Sequence, residues 1–374
     1  MKITNGNVFL DNRGFEQKDL TFAGDRITFA DTDDKDVFDA EGMYVLPGFV
    51  EMHMHGCCGA DASNGELEDF ATMSDFLGKN GVTSFCPTTM TLPIPTLEKA
   101  FCAANEYRKK QTSGSRLIGC NMEGPFFSMA KKGAQNPAYI KDPSIEAFDR
   151  LWDASEGCIA VADLAPELPG AMEYIEHVSK KTTVSIAHTM SDYDTAVKAI
   201  ESGVTSCTHL FNAMPPYTHR APGVVGAVFE SDTMFAELIC DCIHIHPAVI
   251  KAVFKVMGDD RVCVISDALP CTGLEEGQKY QLGGLDIYLK GNCARLEDGT
   301  LAGSACTQFM DFQKIVRAGV PLESAVKACT ANPARNLGIY DRLGSLTEGK
   351  LADVIVLDKD LELKAVFIGG KRVR

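Results

Sequence analysis

Eight apolar, β-branched runs alternate with segments of helical period and lie between two β-rich chain ends. This pattern predicts an α/β fold, a (β/α)8 TIM-like barrel carrying a small β-sandwich domain formed by both termini. From the N-terminus, residues 1–48 read as short strands punctuated by turns at Asn5–Gly6, Asp11–Asn12, Gly24–Asp25 and Glu41–Gly42. Residues 346–374 have the same texture, with two apolar strands and a hairpin signal at Gly369–Gly370. Together they form the expected composite β domain, leaving 49–345 for the barrel.

The barrel runs are Val45–His55, Val82–Thr88, Arg116–Glu123, Cys158–Pro166, Thr183–His188, Ser206–Asn212, Phe235–His244 and Arg261–Asp267. Strands apolar throughout, each followed by an amphipathic helix, imply a parallel sheet covered on its outer face. Ile250, Val253, Phe254 and Met257 form one helical stripe after Pro247, which suits a first turn. Met172, Ile175 and Val178 form another after Pro169, and Ser191–Asp194 fits a capping box. Residues 275–300 break the alternation as a β excursion, before final helices at Thr307–Val316 and Leu322–Asn332.

Composition narrows the function. The 374 residues can bury one large core. With 36 basic against 51 acidic residues, the net charge of −15 argues against general binding to nucleic acid or anionic membrane. No apolar run approaches the roughly 20 residues that span a bilayer, and the N-terminal residues lack a signal-peptide pattern. The expectation is a cytoplasmic protein. The 14 cysteines contain no C-x-x-C pair; Cys86, Cys120, Cys158, Cys207, Cys240 and Cys263 sit in apolar runs and read as core residues of a reducing compartment. Cys57 and Cys58, adjoining the candidate site, have no account beyond packing.

Metal-binding side chains gather at the C-terminal ends of the runs. His53 and His55 are spaced i, i+2 and so face one way in an extended chain. Glu123 ends the third run, His188 the fifth, His209 lies in the sixth, and Asp267 ends the eighth. A lone histidine or an isolated H-x-H more often has a structural explanation, but six candidates on one barrel rim point to a metal site where such folds do their chemistry. Imidazoles and carboxylates without thiolates suit zinc, iron(II) or a similar divalent ion. Such an ion lowers the pKa of bound water to about 7. A carboxylate must then carry the proton, and Asp267 in VCVISDA is the natural carrier.

The stretches PGFVEMHMHG, NMEGPFFSMAKKGAQNP, SIAHT, CTHLFNAMPPYTHRAPGVVG, DCIHIHP, ISDA, LAGSACT and TANPARNLGI span nearly the whole chain. Together they resemble the N-acetylglucosamine-6-phosphate deacetylases of the amidohydrolase superfamily. E-G-P-F with T-H-L-F-N-A-M separates that group from dihydroorotases and hydantoinases, whose bridging residue is usually a carboxylated lysine on the fourth strand; CIAVADLAPE offers none. The resemblance implies Glu123, His188 and His209 as ligands of one ion and His53 and His55 as ligands of a second. Glu123 would bridge them, and Asp267 would act as metal-site base and then acid. It further implies Asn212, the Ala213 backbone and Arg220 as phosphate contacts, with Arg220 reaching across a homodimer. His244 would contact sugar hydroxyls, and His219 would be a further phosphate contact. Read without the resemblance, Arg220 is a loop charge.

One position departs from the group. Single-metal relatives carry a histidine where this chain has Gln135, a residue able to donate a hydrogen bond but never cationic. Relatives that keep H-x-H can have glutamine here, which favours two ions, zinc or iron(II), in this chain. The expected reaction is hydrolysis of the N-acetyl amide of N-acetylglucosamine 6-phosphate, with Asp267 moving protons and Gln135 helping the oxyanion. The alternatives are the galactosamine epimer or another N-acyl substrate on the same site, and a non-catalytic scaffold that retained the fold.

Overall fold

The computed structural model describes residues 1–30 and 36–374. Its centre is a parallel barrel of strands Phe49–Met54, Val82–Thr89, Cys120–Met122, Ile159–Leu164, Thr183–Ile186, Ser206–Cys207, Phe235–Ile239 and Val262–Ile265. A short piece, Arg116–Leu117, extends the third strand. The ring closes where the last strand meets the first. There Met54 bridges Ala268, the Asp267 N–H donates to the His53 carbonyl at 3.0 Å, and the His55 N–H donates to the Ala268 carbonyl at 2.8 Å. The same seam is clamped near its other end by the fully buried Gln308. Its side-chain amide donates to the carbonyls of Val50 at 2.9 Å and Val264 at 2.8 Å, a polar residue in the core with both donors used.

Helices cover the outer face as their stripes require. Ile250, Val253, Phe254 and Met257 are all buried on helix Pro247–Met257; on helix Ala171–Val178, Ile175 and Val178 are buried with Tyr174, while the expected Met172 is only partly buried. Phe312 of helix Gln308–Arg317 meets Phe49 edge-on at 5.1 Å. Fully burying such a side chain contributes about 1.5–3 kcal/mol.

Three boundaries differ from the sequence reading. The run Val45–His55 is two strands, Tyr44–Pro47 in the terminal sheet and Phe49–Met54 in the barrel. Gly48 makes the crossing because a Cβ there would lie 2.2 Å from Thr83 Oγ1. The expected helix Leu322–Asn332 stops at Cys329, and a second helix runs Ala331–Asn336. Pro333 has no N–H to offer the Cys329 carbonyl and its ring would strike it. Asp192, not Ser191, caps helix Tyr193–Ser202 by accepting from the Thr195 N–H at 2.9 Å. Ser191 instead donates from its hydroxyl to Glu167.

The two chain ends meet in one mixed sheet, ordered Lys371–Arg372, Leu363–Ile368, Val354–Leu357, Tyr44–Pro47, Lys2–Leu10, Gly14–Ala23 and Arg26–Thr28, with Val37–Asp39 beside Lys2–Leu10. The antiparallel pairing of Val354–Leu357 with Tyr44–Pro47 joins the termini. The sheet curls onto its own core, so that Phe22 and Phe367, on strands distant in that order, stack edge-on at 5.7 Å. The β excursion is a four-stranded antiparallel sheet that continues past residue 300, with strands Lys279–Leu282, Leu285–Lys290, Cys293–Arg295 and Leu301–Ser304. Leu282, Ile287 and Leu289 seat it against Met90, Ala134 and Leu269 at the barrel rim. The cysteines named above as core residues are buried free thiols. Among the described residues no helix is long and apolar enough to cross a membrane.

Candidate metal centre

The first strand delivers His53 and His55 to one interior point, as i, i+2 spacing requires. His188, His209 and Asp267 leave their strands through left-handed backbone, with φ of 44°, 33° and 47°. For residues other than glycine this conformation is uncommon and strained, and such strain clusters at functional sites. Each turn aims its side chain back over the barrel mouth.

All four imidazoles meet Glu123. Its Oε1 lies 3.1 Å from both His188 Nε2 and His209 Nε2 and 3.7 Å from His53 Nε2; its Oε2 lies 3.3 Å from His55 Nε2. Asp267 Oδ1 lies 3.3 Å from His55 Nε2 and 3.6 Å from His53 Nε2. Glu123 thus belongs to two candidate ligand sets, His53–His55–Glu123 and Glu123–His188–His209, all of them buried.

These groups fit divalent ions better than they fit one another. The His188 and His209 Nε2 atoms face each other at 3.2 Å. Two imidazoles on one tetrahedral zinc, with bonds of about 2.0–2.1 Å, would stand roughly 3.3 Å apart. The buried His53 Nε2 has no hydrogen-bond partner. The local field also favours a cation. Although burial opposes a charge on His55, hydrogen bonds with Asp267 and Glu123 push its pKa up to about 9. Burial acts to raise the Glu123 carboxyl, and the surrounding imidazoles overcome this and hold it well below the usual carboxylate range.

Asp267 is similarly held low, the interaction with His55 outweighing burial. Its backbone is fixed on both sides, donating to the His53 carbonyl and accepting from the Ser304 N–H, each at 3.0 Å. Gln135 is buried beside Glu123. Its Nε2 donates to Glu123 Oε2 at 2.8 Å, and its Oε1 accepts from the Thr91 N–H at 2.7 Å, leaving one amide hydrogen unassigned.

A cavity of about 310 Å³ opens onto this cluster, within the usual size range of small-molecule sites. Gln135, Asn212, Ala213, His244 and Asp267 line it. His244 is oriented by Asp241, whose Oδ2 lies 2.7 Å from its Nδ1. His219 and Arg220 are exposed and lie outside the lining of this protomer's cavity.

Several contributors were not foreseen. Lys131 lines the cavity, and its carbonyl lies 2.8 Å from His188 Nδ1. Residues 300–303 of the inserted sheet form one wall. Glu237, fully buried on the seventh strand, places Oε2 2.9 Å from His53 Nδ1. The last had a signal in the sequence: a carboxylate in the middle of FAELI, an otherwise apolar strand.

The amidohydrolase family profile matches residues 44–373. The chain is 34% identical over 331 residues to the N-acetylglucosamine-6-phosphate deacetylase of Bacillus subtilis (strain 168), covering 87% of this chain and 83% of that one. It is 30% identical to an N-acetylgalactosamine-6-phosphate deacetylase of Escherichia coli O157:H7, covering 90% and 89%. In structure it is similar to N-acetyl-D-glucosamine-6-phosphate deacetylase of Mycobacterium smegmatis, solved as a mutant in complex with N-acetyl-D-glucosamine-6-phosphate. That likeness has a TM-score of 0.93 at 30% identity over 100% of this chain and 99% of the other.

Proposed function

This chain belongs to the amidohydrolase family, and from that premise we propose that it hydrolyses the N-acetyl amide of N-acetylglucosamine 6-phosphate to glucosamine 6-phosphate and acetate. The observation that carries the reading is the convergence of four imidazoles and two carboxylates on one point beneath a cavity of small-molecule size.

His53, His55, Glu123, His188 and His209 would hold two divalent ions, zinc or iron(II), with Asp267 beside them. When bound, the ions supply an acidified water and an electrophile for the acyl oxygen. Asp267 takes the proton from the attacking water and returns it to the departing amine. Its lowered pKa keeps it ionised, and the Ser304 and His53 contacts keep it in place. Gln135, with one amide hydrogen unassigned, donates to the oxyanion.

Asn212 and the Ala213 backbone bind the phosphate, and His244 contacts the sugar hydroxyls. Arg220, with His219 next to it, serves the neighbouring subunit's cavity in a homodimer. Their exposure outside their own cavity supports this, as does the 51% exposure of Tyr217 on the same loop. The barrel unit is assigned to residues 49–345 and the composite β unit to 1–48 with 346–374. We assign the protein to the cytoplasm on its free, mostly buried thiols.

The similarity to a galactosamine-type deacetylase favours one second reading, the epimeric N-acetyl hexosamine 6-phosphate on the same residues. Release of free acetate from both phosphorylated epimers and their unphosphorylated counterparts, with and without chelator, tests both. Turnover of the gluco epimer that chelation abolishes and zinc or iron(II) restores is expected. Faster turnover of the galacto epimer would shift the assignment, and no acetate from either phosphorylated sugar would refute it.

A further inference from the structure

We propose that Glu237 is a positioning residue that holds His53 in the ligating tautomer and commits this chain to a second ion. The inference rests on the metal reading above and extends it beyond the residues that face the ions.

The four imidazoles each turn Nε2 toward the cluster but differ at Nδ1. His55 Nδ1 meets the Thr88 carbonyl at 3.1 Å and His188 Nδ1 meets the Lys131 carbonyl at 2.8 Å, while His209 Nδ1 has no hydrogen-bond partner. Only His53 has a carboxylate there, Glu237 Oε2 at 2.9 Å. A carboxylate accepts and does not donate, so the ring hydrogen sits on Nδ1 and the lone pair on Nε2. That lone pair points between Glu123 and Asp267, at 3.7 and 3.6 Å. A carbonyl would fix the same tautomer, but a carboxylate also makes the imidazole a stronger donor to a metal.

Glu237 has little other structural reason to be where it is. It is 0% exposed on an apolar strand, and its second oxygen has no hydrogen-bond partner. A carboxylate so placed is costly unless positive charge compensates it. Charge points the same way. Glu123, Glu237 and Asp267 put three carboxylates around the His53 ring. An ion on Glu123, His188 and His209 alone would leave the imidazole that Glu237 holds without a metal, whereas a second ion at His53 and His55 would sit on it.

The test compares metal-depleted wild type, Glu237→Gln and Glu237→Leu by zinc titration against a chromophoric chelator, with metal per subunit read by elemental analysis. Wild type should take up two ions. In Glu237→Gln one ion should weaken by about 10- to 100-fold, the usual effect of losing such an outer partner, and the other should keep its affinity. Glu237→Leu should retain one ion.

In zinc-loaded protein labelled with ¹⁵N-histidine, the hydrogen-bonded Nδ1–H of His53 should be present in wild type and displaced or absent in Glu237→Leu. A purely packing role would move neither reading in the isosteric glutamine variant, which also decides the question should the leucine variant fail to fold. Two ions of wild-type affinity in Glu237→Gln would overturn the assignment while leaving the metal centre standing. A wild-type protein that takes up no metal would overturn both.

Discussion

Replacing Asp267 by Asn isolates proton transfer from everything else that residue does. The backbone there is left-handed at φ 47°, a conformation asparagine tolerates better than most residues, so the variant keeps the local fold. Its two backbone hydrogen bonds, to His53 and from Ser304, do not involve the side chain. An amide oxygen remains available 3.3 Å from His55 Nε2. What disappears is a group that can accept a proton and later give it back. General acid–base catalysis of this kind contributes about 10²- to 10⁴-fold, or roughly 3–5 kcal/mol of barrier. The loss should fall on kcat, with KM little changed, because no part of the proposed sugar or phosphate contact is altered. The assay is initial-rate release of acetate at saturating zinc, with elemental analysis of the same sample so that metal loss is not mistaken for lost proton transfer. A metal-replete variant whose kcat stays within about tenfold of wild type, short of that range, would refute the assigned role.

Arg220→Ala should raise KM for the phosphorylated sugar by about 10- to 100-fold, the worth of a charge-assisted hydrogen bond, and leave the unphosphorylated sugar unaffected; steady-state kinetics on both substrates checks this. Mixing Arg220→Ala with the inactive Asp267→Asn protein should give heterodimers with one intact cavity and a gain of activity, and no gain would count against sharing across subunits. Gly48→Ala places a Cβ 2.2 Å from Thr83 Oγ1 at the crossing between sheet and barrel. It should cost about 1–3 kcal/mol, seen as a lower Tm by calorimetry, with kcat per folded molecule unchanged.

The barrel was legible because its strands are apolar on both faces and its ligands sit where such strands end. The convergence of the candidate ligands was legible for the same reason: H-x-H fixes a common direction from local geometry alone. Two of the boundary differences are local, at Pro333 and Asp192, and the third was decided through a distant contact. Gly48 divides one apolar run because Thr83, far along the chain, leaves no room for a Cβ. Glu237 went unseen because its partner is 184 residues away, and a charge inside FAELI acquires meaning only once the ring closes and brings His53, two strands round, against it. Arg220 shows the opposite limit. The resemblance gives it a role, whereas its own protomer shows only an exposed side chain on a loop.

The strained strand ends explain how the site keeps its shape when like and unlike groups crowd together. Left-handed backbone at His188, His209 and Asp267 costs roughly 1–2 kcal/mol at each residue. Each is tied by neighbours: the His188 carbonyl accepts from Ser128 at 2.9 Å, the His209 carbonyl from Asn212 at 2.9 Å, and the Asp267 carbonyl from Ser304 at 3.0 Å. These carbonyl ties come from loops and the inserted sheet, and Asp267 is held in addition by the His53 carbonyl of the first strand. The loops therefore set where the imidazoles point, and the closed barrel sets where they start. A ligand relaxing to ordinary extended backbone would swing its side chain away from Glu123, so the strain persists only because the surrounding contacts outweigh it.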